Sequence, residues 1–144
     1  MNKNNILISF SICLLLVFSI FYFYRYSKKT TINVASIETN YQFKADDLVS
    51  NFITDEKNTT KKCEGNVIEI EGKVKEVSFL NETNTVILIG NNNSGIICDF
   101  GKNQTKEIKA LTKNETVKIK GICKGFLKDV ILLNCMLQNT KTNE

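Results

Sequence analysis

From Asn66 onward, apolar residues recur at every second position, and one polar interval is all that interrupts that period before the C-terminal tail. The stretch NVIEIEGKVKEV sets Ile68, Ile70, Gly72 and Val74 on one face and Glu69, Glu71, Lys73 and Lys75 on the other. Such alternation predicts a half-buried strand. Residues 85–89 (TVILI) predict a second strand, apolar on both faces, and residues 96–100 (IICDF) a third. Between them, GNNNSG is a turn of residues that tolerate positive φ. Residues 102–111 read as a short helix with Ile108 and Leu111 on its apolar side. The period of two then returns in residues 116–124 (TVKIKGICK) and again in 130–137 (VILLNCML).

Three strands, a helix and two strands at close spacing predict a mainly β, five-stranded OB-type Greek-key barrel. Ile70-Glu71-Gly72 in the first strand is matched by Ile119-Lys120-Gly121 in the fourth. A glycine inside a strand weakens it unless the strand bends or another backbone comes close, so both glycines are expected at barrel corners. Ahead of the barrel, KADDLVSNF places Leu48 and Phe52 on one helical face, with Asp46 and Asp47 in the first turn. This predicts a leading helix, and the polar stretch TDEKNTTKK extends as a second short one to Cys63.

Composition removes several kinds of chemistry. Histidine is absent, which takes away the commonest general base and the commonest metal ligand. The four cysteines of the domain, Cys63, Cys98, Cys123 and Cys135, form no C-x-x-C pair, so no zinc site is expected. By parity Cys98 and Cys123 face the core, and the cysteines read as buried thiols. A disulfide is the sharper alternative. The last strand of an OB barrel lies between the third and fourth, so Cys135 has Cys98 and Cys123 as possible partners. Asp46-Asp47 and Asp55-Glu56 lie on the leading helices and read as caps and solubilising charge rather than acid/base pairs. No phosphate-cradling glycine loop and no nucleophile elbow is present. The sequence therefore predicts no catalytic, cofactor or metal site.

Residues 6–24 (ILISFSICLLLVFSIFYFY) form 19 consecutive uncharged positions. As a helix, such a run spans roughly 28 Å, near the hydrocarbon thickness of a bilayer. Tyr22, Tyr24 and Tyr26, then Arg25, Lys28 and Lys29, suit the membrane–water interface. A cleaved signal peptide would have a shorter apolar run and a small-residue site after it. Cys13 lies within the run behind the bulky Ile12 and reads as an apolar cysteine rather than a lipid-attachment site. The expected organisation is an anchor over residues 1–29, a linker over 30–40, the OB domain over 41–138 and a polar tail over 139–144. The flanking charges favour a cytoplasmic domain, whereas the cysteines lean toward an oxidising compartment.

The motifs FKADDLVSNFITDE, CEGNVIEIEGKVKEV, the small-residue turn before GIICDF, and NETVKIKGICKGFLKDVILLNCML together resemble the bacterial OB-fold family named for similarity to tRNA anticodon-binding domains. The resemblance runs over residues 43–137. It implies an OB fold in a small protein that is exported or membrane-attached, and so favours an extracytoplasmic domain on a single-pass membrane protein. Nucleic-acid binding comes with the family's name alone.

From Tyr41 on there are 15 lysines, no arginine and 14 acids, interleaved along the chain. Glu69, Glu71, Lys73, Lys75, Lys118 and Lys120 are expected to point outward on neighbouring strands and to pair. The usual OB ligand platform is the second and third strands. Phe100 is the lone aromatic there and has core parity, while Phe79 and Phe126 sit near strand ends. The expected function is thus an envelope binding or scaffolding module with lipid and an unidentified protein or glycan as partners. A nucleic-acid-binding OB domain is the alternative.

Overall fold

The structure, a computed structural model, describes residues 12–22, 34–80 and 83–138. The chain divides into two compact units, Met1–Thr31 and Ile32–Glu144. In the first, residues 12–22 are helical. The rest of the expected anchor, residues 1–11 and 23–29, lies outside the described residues, as does the polar tail. Among the described residues no helix is long and apolar enough to cross a membrane.

The second unit opens on a 3-10 turn, Val34–Ser36, followed by strand β1 (Tyr41–Lys44) and helices α1 (Ala45–Thr54) and α2 (Glu56–Cys63). Then come β2 (Val67–Leu80), β3 (Thr83–Ile89) and β4 (Gly95–Phe100). A 3-10 turn (Lys102–Gln104) leads into α3 (Thr105–Lys109), and β5 (Thr116–Phe126) and β6 (Val130–Gln138) complete the order. The sheet runs β1-β2-β3-β4-β6-β5, and β5 pairs back onto β2. Five strands therefore close into an OB-like barrel, with β6 between β4 and β5. Closure relies on the length of β2. Its first half, Val67 to Lys73, pairs antiparallel with β5, and its second half, Val74 to Leu80, pairs with β3 across a bulge between Val74 and Glu76.

The sequence pattern left out β1. It lies parallel on the outer edge of β2, with Tyr41 opposite Ile68 and Lys44 opposite Glu71. The expected helix over residues 102–111 is also shorter, a 3-10 turn and a five-residue helix. There Gln104 bonds to β6 rather than continuing a helical face: its Nε2 donates to the Cys135 carbonyl at 2.8 Å, and its Oε1 accepts from the Leu137 N–H at 3.1 Å. The nearby buried Asn84 donates to the Gly101 carbonyl and the Thr105 hydroxyl.

One continuous core fills the barrel. Ile68, Ile70 and Val74 of β2 meet Val86 and Leu88 of β3, Ile96 of β4, Ile119 of β5 and Leu132 of β6. Helix α1 contributes Leu48, Val49 and Phe52, so the i, i+4 face expected of it is buried. Helix α2 starts at Asp55, whose carboxylate accepts from the Asn58 N–H at 3.2 Å, and it ends on buried Cys63.

The two strand glycines serve close approach. A β-carbon on Gly72 would stand 2.7 Å from the Ala45 β-carbon, where α1 enters, and one on Gly121 would stand 2.7 Å from the Cys135 sulfur. The segment read as a linker is packed too. Val34 is 2% exposed and joins Val67, Ile122 and Met136 in a small outer cluster. Asn40 donates its N–H to the Val67 carbonyl.

Candidate binding surfaces

Alternation along β3, β4 and β6 turns a second set of apolar residues outward. Val86 and Leu88 are fully buried, so Ile87 between them faces out; Ile97 stands likewise between Ile96 and Cys98, and Ile131 between Val130 and Leu132. Register places Ile87 opposite Ile97, and Ile97 opposite Ile131. Three isoleucines thus form one row across three strands, and Ile89 and Leu133 extend it. This is the face where OB folds usually take ligands. It carries no basic residue on β3 or β4, and the aromatic of those strands, Phe100, is 3% exposed and points into the core. What this face offers is aliphatic contact area with Thr85 and Asp99 beside it.

The two other phenylalanines differ from one another. Phe79 is 43% exposed, with Lys109 Nζ 5.7 Å from its ring. Phe126 does end a strand, β5, but it is half-buried there, stacked on Phe52 with centroids 5.5 Å apart. It therefore belongs to the core lid rather than to a ligand platform. Leu127, in the β5–β6 turn, is the most exposed apolar side chain among the described residues of the domain, at 86%.

The outer charges of β2 and β5 pair in part. Glu71 and Lys118 face each other in register and form an ion pair at 3.4 Å on the surface. Lys120, opposite Glu69, departs from the expected outward pattern: it is 7% exposed, and its Nζ donates to the Ile37 carbonyl. The chain ahead of β1 covers it, which strand alternation could not reveal. Beside this ladder a cleft of about 590 Å³ is lined by Phe43, Lys44, Asp47, Glu69, Glu71 and Lys118 among others. Its charges are mixed. Lys62 Nζ stands over the nearby Tyr41 and Phe43 rings, 4.8 and 5.5 Å from their centroids.

Cys63, Cys98, Cys123 and Cys135 are all buried as free thiols. Burial pushes the Cys123 thiol up to about 11, and Cys63 also rises through burial. Cys135 is held well above the usual thiol range by burial first, then by a hydrogen bond shared with the Cys98 thiol. At neutral pH these three are protonated, and a thiol rather than a thiolate is a poor nucleophile and metal ligand. Among the described residues no three Cys, Asp or Glu side chains stand together to hold a metal ion.

The closed five-stranded barrel, with β6 between β4 and β5, defines an OB-like fold. The sequence pattern of the tRNA_anti-like family matches residues 1–137, and the chain belongs to that family. No curated protein matches it in sequence. Among solved structures it is similar to a Klebsiella pneumoniae protein described as a candidate nucleic acid-binding lipoprotein. That match has a TM-score of 0.55 and 14% identity, over 74% of this chain and 95% of the other, and it shows a shared fold. The S. pombe Stn1-ten1 complex matches at a TM-score of 0.41 and 13% identity, over 51% and 58% of the two chains. An OBody bound to hen egg-white lysozyme matches at 0.43 and 13%, over 54% and 86%. These two are too distant to carry an argument.

Proposed function

We propose that this chain is a non-catalytic binding module of the bacterial cell envelope that takes a protein partner on the outer face of β3, β4 and β6. The observation that carries this reading is the row Ile87–Ile97–Ile131. Desolvating aliphatic side chains contributes roughly 25 cal/mol per Å² removed from water, and a protein surface can supply the matching apolar contact. Single-stranded nucleic acid asks instead for aromatic platforms and a basic groove. Sugars ask for polar groups and aromatic rings, so a glycan fits this face less well than a protein does.

The uncharged run over residues 6–24, with Arg25, Lys28 and Lys29 behind it, supports attachment to a membrane in a single pass. An extracytoplasmic domain is what the family resemblance implies, and the likeness to a protein described as a lipoprotein supports it.

The test is site-specific photocrosslinking in intact cells. A photoreactive residue at position 97 should capture a discrete polypeptide that is not captured from the exposed position 73. Ile87→Asp should abolish that adduct. Crosslinks to nucleic acid at position 97 would overturn the protein-binding reading in favour of the nucleic-acid one.

A further inference from the structure

Strand β6 carries one more residue than either neighbour at the same level. On the β4 side Cys98 pairs with Leu132 and Phe100 with Cys135, so two steps on β4 match three on β6. On the β5 side Ile122 pairs with Leu133 and Lys120 with Met136, again two against three. Asn134 lies in this bulge, with a positive φ of 52°. A bulge shifts the parity of a strand and re-aims the side chain after it. Val130 and Leu132 point inward, and simple alternation would turn residue 135 outward. The extra residue turns Cys135 back into the core, where it is 2% exposed. Its sulfur settles over Gly121, which has no β-carbon to block it. It also comes within hydrogen-bonding reach of the Cys98 thiol.

Cys123 is placed differently. Cys98 and Cys123 are both register partners of Leu132, one on each side, so this buried leucine stands between them. The bulge therefore brings Cys135 beside one buried thiol of the barrel wall.

We propose that Cys98 and Cys135 are a disulfide pair, closed as the chain folds in contact with a disulfide donor, tying β4 to β6 inside the barrel. The chemistry is thiol–disulfide exchange. One cysteine, as its thiolate, attacks a donor sulfur; a mixed disulfide forms and one donor thiol leaves. The second cysteine then attacks the protein sulfur of that mixed disulfide. The Cys98–Cys135 bond forms, and the second donor thiol leaves. The donor disulfide gains the two electrons, and its two thiols take up the two protons. The pair is closed to solvent in the finished barrel, so exchange belongs to folding, before β6 docks. Cys63 and Cys123 remain thiols.

The test uses the full chain, unfolded under reducing conditions and refolded in detergent with oxidised glutathione. Remaining thiols are then alkylated in denaturant for intact-mass and peptide analysis. The expected product has lost two hydrogens, links the Cys98 and Cys135 peptides, and is alkylated at Cys63 and Cys123. Cys135→Ala and Cys98→Ala should each abolish the loss, while Cys123→Ala should keep it. Alkylation at all four positions of the domain, glutathione adducts alone, or a linked peptide containing Cys63 or Cys123 would overturn the assignment. The wild-type peptide map decides the matter even if a variant fails to fold.

Discussion

The Cys135 sulfur lies 2.7 Å from the point where a β-carbon on Gly121 would stand. The Leu132 β-carbon would stand 3.3 Å from that same point, so the added methyl would be crowded from two sides. Gly121→Ala should therefore overpack the wall of the barrel and cost about 1–3 kcal/mol. Removing the sulfur makes room, so Gly121→Ala combined with Cys135→Ala should be less destabilised than the sum of the two single changes. Urea denaturation of the four proteins under reducing conditions gives this coupling directly. Strict additivity would show that the two positions do not compete for space.

The raised thiols make the reduced domain sensitive to alkali. Cys123 is pushed from the usual 9.0 to about 11, with Cys63 and Cys135 shifted the same way. Above pH 9 the unfolded chain releases these protons while the folded chain keeps them, so stability falls as pH rises. The Cys123 contribution is whole below pH 9 and is lost by about pH 11. Denaturation midpoints at pH 7.5, 9 and 10.5 should decline across that window. Cys123→Ala should flatten the decline; an unchanged slope would remove Cys123 as a cause.

The segment ahead of β1 is part of the folded domain. A chain beginning at Tyr41 lacks Val34 and the Ile37 carbonyl, which uncovers Val67, Ile122 and Met136 and leaves Lys120 without its acceptor. Losing Val34 burial alone should cost about 1.5–3 kcal/mol. A chain beginning at Ile32 should accordingly unfold at higher urea than one beginning at Tyr41. Equal midpoints would make the segment a passive tether.

Strand order was legible because Ile68, Ile70 and Val74, or Val117 and Ile119, announce their buried face by period alone. Parity likewise placed Phe100 in the core. What period could not report was contact made from outside the strand. Lys120 has the same alternation as Lys118, yet a carbonyl 83 residues earlier in the chain covers it. Phe126 ends a strand, yet Phe52 of α1 lies against it. Cys135 was legible as a neighbour of two cysteines, and the choice between them depends on a bulge at Asn134 that composition does not mark. The outer isoleucines were visible in TVILI as a strand apolar on both faces, but only register joins Ile87 to Ile97 and Ile131.

Phe52 should be the most costly single truncation in the lid. It is 1% exposed and stacked on Phe126. Phe52→Ala should destabilise the domain by about 3–5 kcal/mol. Its neighbour Ile53 is exposed, and Ile53→Ala should stay within about 0.5 kcal/mol. Similar losses at both positions would mean that α1 is not seated on the barrel through Phe52.

The outer face allows stability and binding to be separated. Ile97 contributes an outward side chain to a row whose inward neighbours hold the fold, so Ile97→Thr should change stability by no more than about 1 kcal/mol. The same change should weaken capture of a protein partner, because the middle of the three-strand row is lost. Nucleic acid should be indifferent to it. Non-specific affinity for a phosphate backbone grows with the number of cationic contacts. From Tyr41 on, the chain interleaves 15 lysines with 14 acids, and no lysine stands on β3 or β4. Lys118 is engaged by Glu71 and Lys120 by the Ile37 carbonyl, which withdraws two more from any basic stripe. Labelled single-stranded oligonucleotides should therefore bind no tighter than about 10⁻⁴ M near physiological salt, the weak end of non-specific association. Fluorescence anisotropy measures this. Submicromolar binding that falls steeply with salt, unaffected by Ile97→Thr, would place the ligand on a different surface and make it a polyanion.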